Sequence, residues 1–184
     1  MLVKYNAVIN HNQSDLYVHS FKQSTKKVLN PLIRSGERLK EDAEGLWIDE
    51  DYARANGLRA GDEISIAYDG AEHRVKILGT VLDAENIYFV TAYSETVPDH
   101  VRHGYGYMSE KYAQKLMGGV SYNQIRIALS GKAVSKEKLQ REVKAIMGEA
   151  FLSLTMKEDK VSVNQVDDEI AQIRKMAVLF SFVF

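Results

Sequence analysis

The residues of this chain that could perform chemistry are few and scattered. His100 and His103, with Asp99 beside them, come nearest to a metal-binding motif. Two imidazoles three residues apart can share a metal ion on a helix, but Pro98 and Gly104 indicate a loop, and no H-E-x-x-H or other complete ligand set is present. We therefore favour an exposed polar loop over the alternative of a metal site, and we predict no metal.

Acidic residues cluster around a short predicted helix: Glu41, Asp42, Glu44, Asp49, Glu50 and Asp51. A pair of carboxylates could hydrolyse a glycoside, but acids at a helix start commonly cap it and complement its dipole. The chain has no cysteine, which excludes thiolate nucleophiles and cysteine-based metal sites. It also has neither the G-x-x-x-x-G-K-[ST] phosphate loop nor the G-x-S-x-G elbow. We predict a non-catalytic protein that needs no cofactor.

The charge balance predicts no partner of high charge. The formal net charge is -1 and the pI is near 6.5, so neither nucleic acid nor an anionic membrane surface is favoured. Of the 184 residues, 45% are hydrophobic and 27% are charged. This composition indicates a folded domain with a core.

Tyrosines are concentrated in one part of the chain. Tyr88, Tyr93, Tyr105 and Tyr107 are four of the ten tyrosines. Exposed aromatic side chains are favoured at protein interfaces, although tyrosine is also an ordinary strand residue. We predict that these four could form a face for a protein or peptide partner.

The chain pattern predicts an α+β fold with two lobes. Strand-like segments 4–10 and 16–21 read as an N-terminal hairpin, and turn signals make 32–117 a β-rich inserted subdomain. Alternation in 125–129 and 152–156, on either side of a helix starting after Ser135, predicts a strand-helix-strand unit over 123–156. We expect this unit to share a sheet with the hairpin, giving a single domain over 1–160.

The last 24 residues, 161–184, have a different pattern. Apolar residues follow spacings of three and four along one helix face, which is a heptad seam: Val163, Val166, Ile170, Ile173, Ala177, Phe180 and Phe184. From Met176 onward the helix is apolar on nearly every face. A membrane span needs ~20 apolar residues, and the apolar run from Met176 is shorter than that. We therefore predict a stalk helix followed by the start of a transmembrane helix. The alternative is a helix buried in the core or in a dimer interface.

Two stretches carry a resemblance to a known family. The first runs from Leu32–Leu39 through Gly45–Ile48 and Tyr52–Ile66 to Val75–Val81, and the second is Glu169–Phe184. Together they resemble the extracytoplasmic domain of FtsX-like ABC transporter permeases of the MacB type, and the second is similar to the helix that re-enters the membrane. The Ala-x-x-x-Gly-Leu-x-x-Gly-Asp phrase also resembles double-psi barrel modules.

The resemblance to the permeases implies a mechanical function outside the cytoplasm. It implies a cell-membrane protein with this domain on the extracytoplasmic side, a separate cytoplasmic ABC ATPase subunit as partner, and movement coupled to export, substrate extraction or signalling. A homodimer is a further expectation. The alternative is a soluble double-psi-barrel-like module that binds a ligand or a protein.

Overall fold

A computed structural model describes residues 1–9, 12–22, 30–91, 95, 97–119, 122–129 and 134–181. The chain divides into two compact units, Met1–Ile127 and Ala128–Phe184. The first unit contains the described strands and two short helices, and the second contains two longer helices.

Among the described residues of the first unit, seven strands form one sheet. In chain order they are Leu2–Ile9 (β1), Asn12–Phe21 (β2), Leu32–Gly36 (β3), Leu46–Asp49 (β4), Glu63–Tyr68 (β5), Ala71–Leu82 (β6) and His103–Ser109 (β7). The order across the sheet is β3-β6-β4-β7-β2-β1-β5. Two pairs, β2 with β7 and β4 with β6, are parallel, and the other pairs are antiparallel.

The sheet closes into a barrel because β6 is long enough to pair twice along its length. Its first half pairs with β5 over Ala71–Lys76, and its second half pairs with β4 and β3. Six strands therefore form a ring, and β3 is added beside β6 outside it. Closing a sheet in this way leaves fewer unpaired edges.

The mixed α and β composition is confirmed, but the predicted arrangement of the strands is wrong. The hairpin β1–β2 pairs with β5 and β7, and residues 122–129 and 151–156 have no regular secondary structure. The reason is burial. Leu16 of the hairpin is 0% exposed inside the barrel, whereas Ile125 and Leu152 are 64% and 92% exposed. The β-rich part therefore starts at β1 and is not an insertion over 32–117.

A short polar residue begins each of three helices. Asp49 caps Glu50–Ala55 (α1), Ser109 caps Glu110–Met117 (α2) and Ser135 caps Lys136–Met147 (α3), each accepting a backbone N–H of the first turn. Gly118 ends α2 in the left-handed conformation.

The core lies on both faces of the barrel wall. One cluster fills the interior, with members such as Leu16, Ile66 and Ile77. The other lies outside the wall and includes Trp47, Tyr105 and Tyr107. Alternation along a strand sends neighbouring side chains to opposite faces, so both faces of β4 and β7 are buried.

The loop that Pro98 and Gly104 predict gives way to strand β7 at His103. Two glycines interrupt its apolar alternation, and both lie where the wall leaves no room. A Cβ on Gly104 would be 2.4 Å from Cγ of Tyr52, and one on Gly106 would be 2.8 Å from the carbonyl oxygen of Trp47. Glycine inside a strand often marks such a close approach.

The second unit is built around Lys136–Met147 (α3) and Val161–Ser181 (α4). Every residue of this unit whose burial is described is half-buried or exposed. Within the described part of the chain, no helix combines the length and hydropathy of a membrane span.

Candidate functional site

The predicted seam lies on α4 and faces solvent over most of its described length. Val163 and Val166 are half-buried and Ala177 is exposed, while Ile170 and Ile173 are 42% and 61% exposed. Phe180 belongs to α4, but its side chain lies outside the described residues, as does all of Phe184. The structure therefore places the described seam residues on one helix, half-buried at its start and exposed at Ile170, Ile173 and Ala177.

Two of the four tyrosines predicted as a partner face are buried. Tyr105 and Tyr107 are 1% and 0% exposed and pack in the outer core cluster. Tyr88 is half-buried, and Tyr93 lies outside the described residues. The prediction is wrong for Tyr105 and Tyr107 because the segment after β6 covers them: Phe89 packs on Tyr105 with ring centroids 5.4 Å apart.

Asp83 organises a buried hydrogen-bond network around these two tyrosines. Its carboxylate accepts from the Tyr107 hydroxyl, from the Glu85 N–H at 3.0 Å and from the Asn86 amide at 2.8 Å. Its own N–H donates to the Tyr105 hydroxyl at 3.0 Å. The carboxylate is thus satisfied by three donors, and the arrangement serves to hold the covering segment on the barrel.

The two tyrosines in this network stay protonated. Burial, with the Asp83 carboxylate next in size, raises the pKa of Tyr107. Burial also raises the pKa of Tyr105, followed by the effect of Asp49. A phenol with a raised pKa stays protonated near neutral pH and can donate a hydrogen bond, as Tyr107 does to Asp83.

His100 and Asp49 meet where α1 begins. His100 Nδ1 lies 3.6 Å from Asp49 Oδ2, and the Asp49 side chain is 2% exposed. Burial raises the pKa of Asp49, and the backbone N–H of Tyr52 opposes that shift. Both Asp49 oxygens already accept N–H groups of α1, from Asp51 and Tyr52, so this carboxylate acts as a helix cap.

His103 lies near a different carboxylate. Its Nδ1 is 3.6 Å from Asp15 Oδ2, and the same oxygen is 2.8 Å from Lys4 Nζ. The structure thus assigns His100 and His103 to separate acids. No group of three His, Asp or Glu side chains in the described part of the chain is arranged to hold a metal ion.

A polar clamp that sequence reasoning missed holds residues 122–126 to the barrel. The Tyr122 hydroxyl donates to Glu110 at 2.8 Å and accepts from Lys22 at 2.9 Å, and Lys22 and Glu110 are 2.7 Å apart. The Asn123 side-chain amide accepts from the Leu2 N–H at 2.9 Å and donates to the Leu2 carbonyl oxygen at 2.7 Å. The partners are far apart in sequence, so no local pattern indicates the clamp.

The sequence and the fold were compared with known proteins. No protein-family model and no curated protein matches the sequence. The chain is similar to the crystal structure of the periplasmic region of MacB from Actinobacillus actinomycetemcomitans, with 14% identity and a TM-score of 0.47. The match covers 91% of this chain and 73% of that chain.

Proposed function

We propose that this chain is the extracytoplasmic domain of an FtsX-like, MacB-type ABC transporter permease. The observation that carries the proposal is α4, whose seam is exposed at Ile170 and Ile173 and whose sequence becomes apolar on nearly every face from Met176. A helix that changes in this way along its length suits a stalk that passes from water into a membrane. The sequence phrases over Leu32–Val81 and Glu169–Phe184 add support.

In this proposal the domain transmits movement and performs no chemistry of its own. A separate cytoplasmic ABC ATPase subunit hydrolyses ATP, and the membrane part of the permease carries the movement to α4. A long helix with a heptad seam can pack along a neighbour over several turns, so a shift at one end reaches the other. The barrel would then present the moving surface to a protein or peptide outside the cytoplasm.

The test is to express the complete gene product that contains this chain, with an affinity tag, in its native host. We expect it in the membrane fraction, extracted only by detergent, and accompanied by an ABC ATPase subunit. Recovery from the soluble fraction without an ATPase would refute the proposal.

A pair of variants in that gene product tests the mechanical role of α4. Ile173→Asp places a charge on the seam, and Gln172→Asp places the same charge on the outer face one residue away. We expect Ile173→Asp to keep expression and ATPase binding but lose transport or signalling output, because the charge opposes apolar packing. Gln172→Asp should retain output. Full output from Ile173→Asp would show that α4 is a passive tether.

The closed six-stranded barrel favours a second candidate, a soluble double-psi-barrel-like module that binds a ligand or a protein. Small closed barrels are filled by side chains, and here the interior is apolar. A partner of this module would therefore bind on the loops or the outer wall. Saturable binding of a partner that does not require the membrane part would support this alternative.

A further inference from the structure

The side chain of Asn56 joins the end of α1 to the loop 98–102 that precedes β7. Asn56 caps the C-terminal end of α1, and its Nδ2 donates to three carbonyl oxygens. They belong to Tyr52 at 3.0 Å, His100 at 3.1 Å and Val101 at 3.4 Å. Three acceptors around one atom identify it as the amide nitrogen. The contact therefore depends on a side chain that can donate.

Asp99 gives the loop the shape that brings it to Asn56. Its Oδ1 accepts the backbone N–H groups of Val101 at 3.2 Å and Arg102 at 3.1 Å. Its carbonyl oxygen accepts the N–H of Arg102 at 3.2 Å. These bonds turn the chain back on itself, and the carbonyl oxygens of His100 and Val101 lie within reach of Asn56 as a result.

Gly57 gives Asn56 a reactive neighbour. Asn56 is the only asparagine of the sequence that glycine follows. In such a pair the glycine nitrogen can attack the amide carbon of the asparagine, because glycine has no side chain to obstruct the approach. In the folded chain the Gly57 N–H donates to the Arg54 carbonyl oxygen at 3.3 Å, and three carbonyls hold the Asn56 amide. The attack requires that these bonds first break.

We propose that Asn56 and Gly57 form a deamidation site that the docked loop 98–102 keeps closed. When the loop leaves, the Gly57 nitrogen forms a bond to Cγ of Asn56, and the bond between Cγ and Nδ2 breaks. The Nδ2 group departs as ammonia and takes the proton of the Gly57 N–H. The cyclic imide then takes up a water molecule and opens at either carbonyl, to aspartate or to isoaspartate.

The modified residue cannot hold the loop again. Its carboxylate accepts hydrogen bonds and donates none, and in place of the amide it would face the carbonyl oxygens of Tyr52, His100 and Val101. Those carbonyls lose their donor and are repelled by the charge. Isoaspartate also lengthens the backbone where α1 ends. The reaction thus converts a reversible opening of the loop into a permanent one.

Mass spectrometry of one peptide measures the reaction, because trypsin cleaves after Arg54 and Arg59 and releases Asn56 as the only asparagine of 55–59. The full chain is incubated in mildly alkaline buffer, folded or in urea, and a zero-time sample corrects for digestion. We expect isoaspartate to form at least about tenfold faster in urea, because the folded chain reacts only while locally open. Equal rates in both states, or no isoaspartate in urea, would overturn the proposal.

The variant Gly57→Ala tests the identity of the attacking atom. The added methyl obstructs the nitrogen of residue 57, so isoaspartate in urea should fall to a small fraction of that in the original chain. In urea the result does not depend on how well the variant folds. An unchanged rate would mean that residue 57 is not the attacking group and would overturn the proposed reaction.

The variant Asp99→Ala tests whether the loop is the gate. It removes the two side-chain bonds that shape the loop and leaves Asn56 and Gly57 in place. We expect deamidation of the folded chain to become about threefold faster or more. Asp42→Ala is the matched control, since Asp42 is exposed and lies outside the loop, and it should leave the rate unchanged. Equal rates in the two variants would refute the gating, provided that Trp47 fluorescence shows a folded barrel in both.

Hydrogen exchange in the chain carrying Asn56→Asp tests the consequence for the loop. Backbone amides of 101–103 should exchange faster than in the original chain, and at least as fast as in Asn56→Ala, which removes the donor without adding charge. Unchanged exchange in Asn56→Asp would show that the modified residue still holds the loop and would overturn the proposed switch. These measurements involve neither the membrane nor the ATPase, so their outcome is independent of the proposed function.

Discussion

Gly104→Ala is the sharpest test of how the barrel is packed. The added Cβ would lie 2.4 Å from Cγ and 2.5 Å from Cδ2 of Tyr52, whereas carbon atoms in contact are normally about 3.5–4.0 Å apart. The two residues must therefore separate by roughly 1 Å.

Tyr52 cannot move aside without losing other interactions. Its side chain is 0% exposed, its hydroxyl is 2.5 Å from that of Ser14, and its N–H bonds Asp49. Overpacking of this kind costs about 1–3 kcal/mol, and we expect Gly104→Ala to lower the free energy of unfolding by that amount.

Urea unfolding followed by Trp47 fluorescence measures this cost, since the chain has a single tryptophan and it is buried in the barrel wall. Gly119→Ala is the matched control, because its Cβ would meet nothing within 4 Å, and it should change stability by less than ~0.5 kcal/mol. Tyr52→Ala removes the two ring contacts but keeps the Cβ of residue 52, which would lie 2.9 Å from the added Cβ, so in that background the cost of Gly104→Ala should fall without disappearing. An unchanged midpoint for Gly104→Ala, or the same cost in both backgrounds, would refute the reasoning.

Two further predictions concern the buried carboxylates. Asp49→Ala should destabilise the barrel by about 1 kcal/mol through loss of the helix cap. Asp49→Asn keeps a capping oxygen but cannot ionise, so it measures the effect of the charge alone. Burial raises the pKa of Asp49 above its ordinary value of 3.8, so the folded state favours the protonated carboxyl. The stability that Asp49 contributes relative to asparagine is therefore fully present below pH 3.8 and is lost as pH rises through the folded-state pKa. Urea midpoints of both variants across pH 3–7 check this, and a pH-independent gap between Asp49→Asn and the original chain would contradict it. Tyr107→Phe removes one of three donors to Asp83 and should cost about 1–3 kcal/mol by the same assay; a neutral result would mean that the other two donors satisfy the carboxylate.

The sequence predicts local structure where a single residue type is decisive. Asp49 and Ser109 mark helix starts because a short side-chain acceptor meets the unpaired N–H groups of the first turn. Asp69 and Gly70 mark a hairpin because both adopt positive φ, at 48° and 79°. These features depend on residues within four positions along the chain, so the sequence alone predicts them.

The barrel and the buried tyrosines are not predictable in the same way, because their causes lie far apart along the chain. Strand β7 pairs with β2 and β4, and only those partners explain why Gly104 and Gly106 are strand residues. Tyr105 and Tyr107 read as partner-facing from composition alone, yet the segment after β6 buries them. Alternation over 125–129 predicts a strand that the structure does not have, because extended backbone becomes a strand only when a second strand pairs with it.

The two units differ in how many apolar side chains they bury. Fixing the backbone of one residue costs about 1–2 kcal/mol, and α3 and α4 have 12 and 21 residues. The described residues of the second unit include no buried side chain, so apolar burial within the unit offsets little of that cost, and isolated helices are marginal in water. If α4 pairs with a second copy, its helicity should depend on protein concentration, because association stabilises only the folded, paired form. We therefore expect the far-ultraviolet helical signal to melt at a higher temperature as concentration rises, while the Trp47 transition of the barrel stays constant. A concentration-independent helical melt would mean that α4 is ordered without a second copy, and a Trp47 transition that moves with concentration would mean that association also involves the barrel.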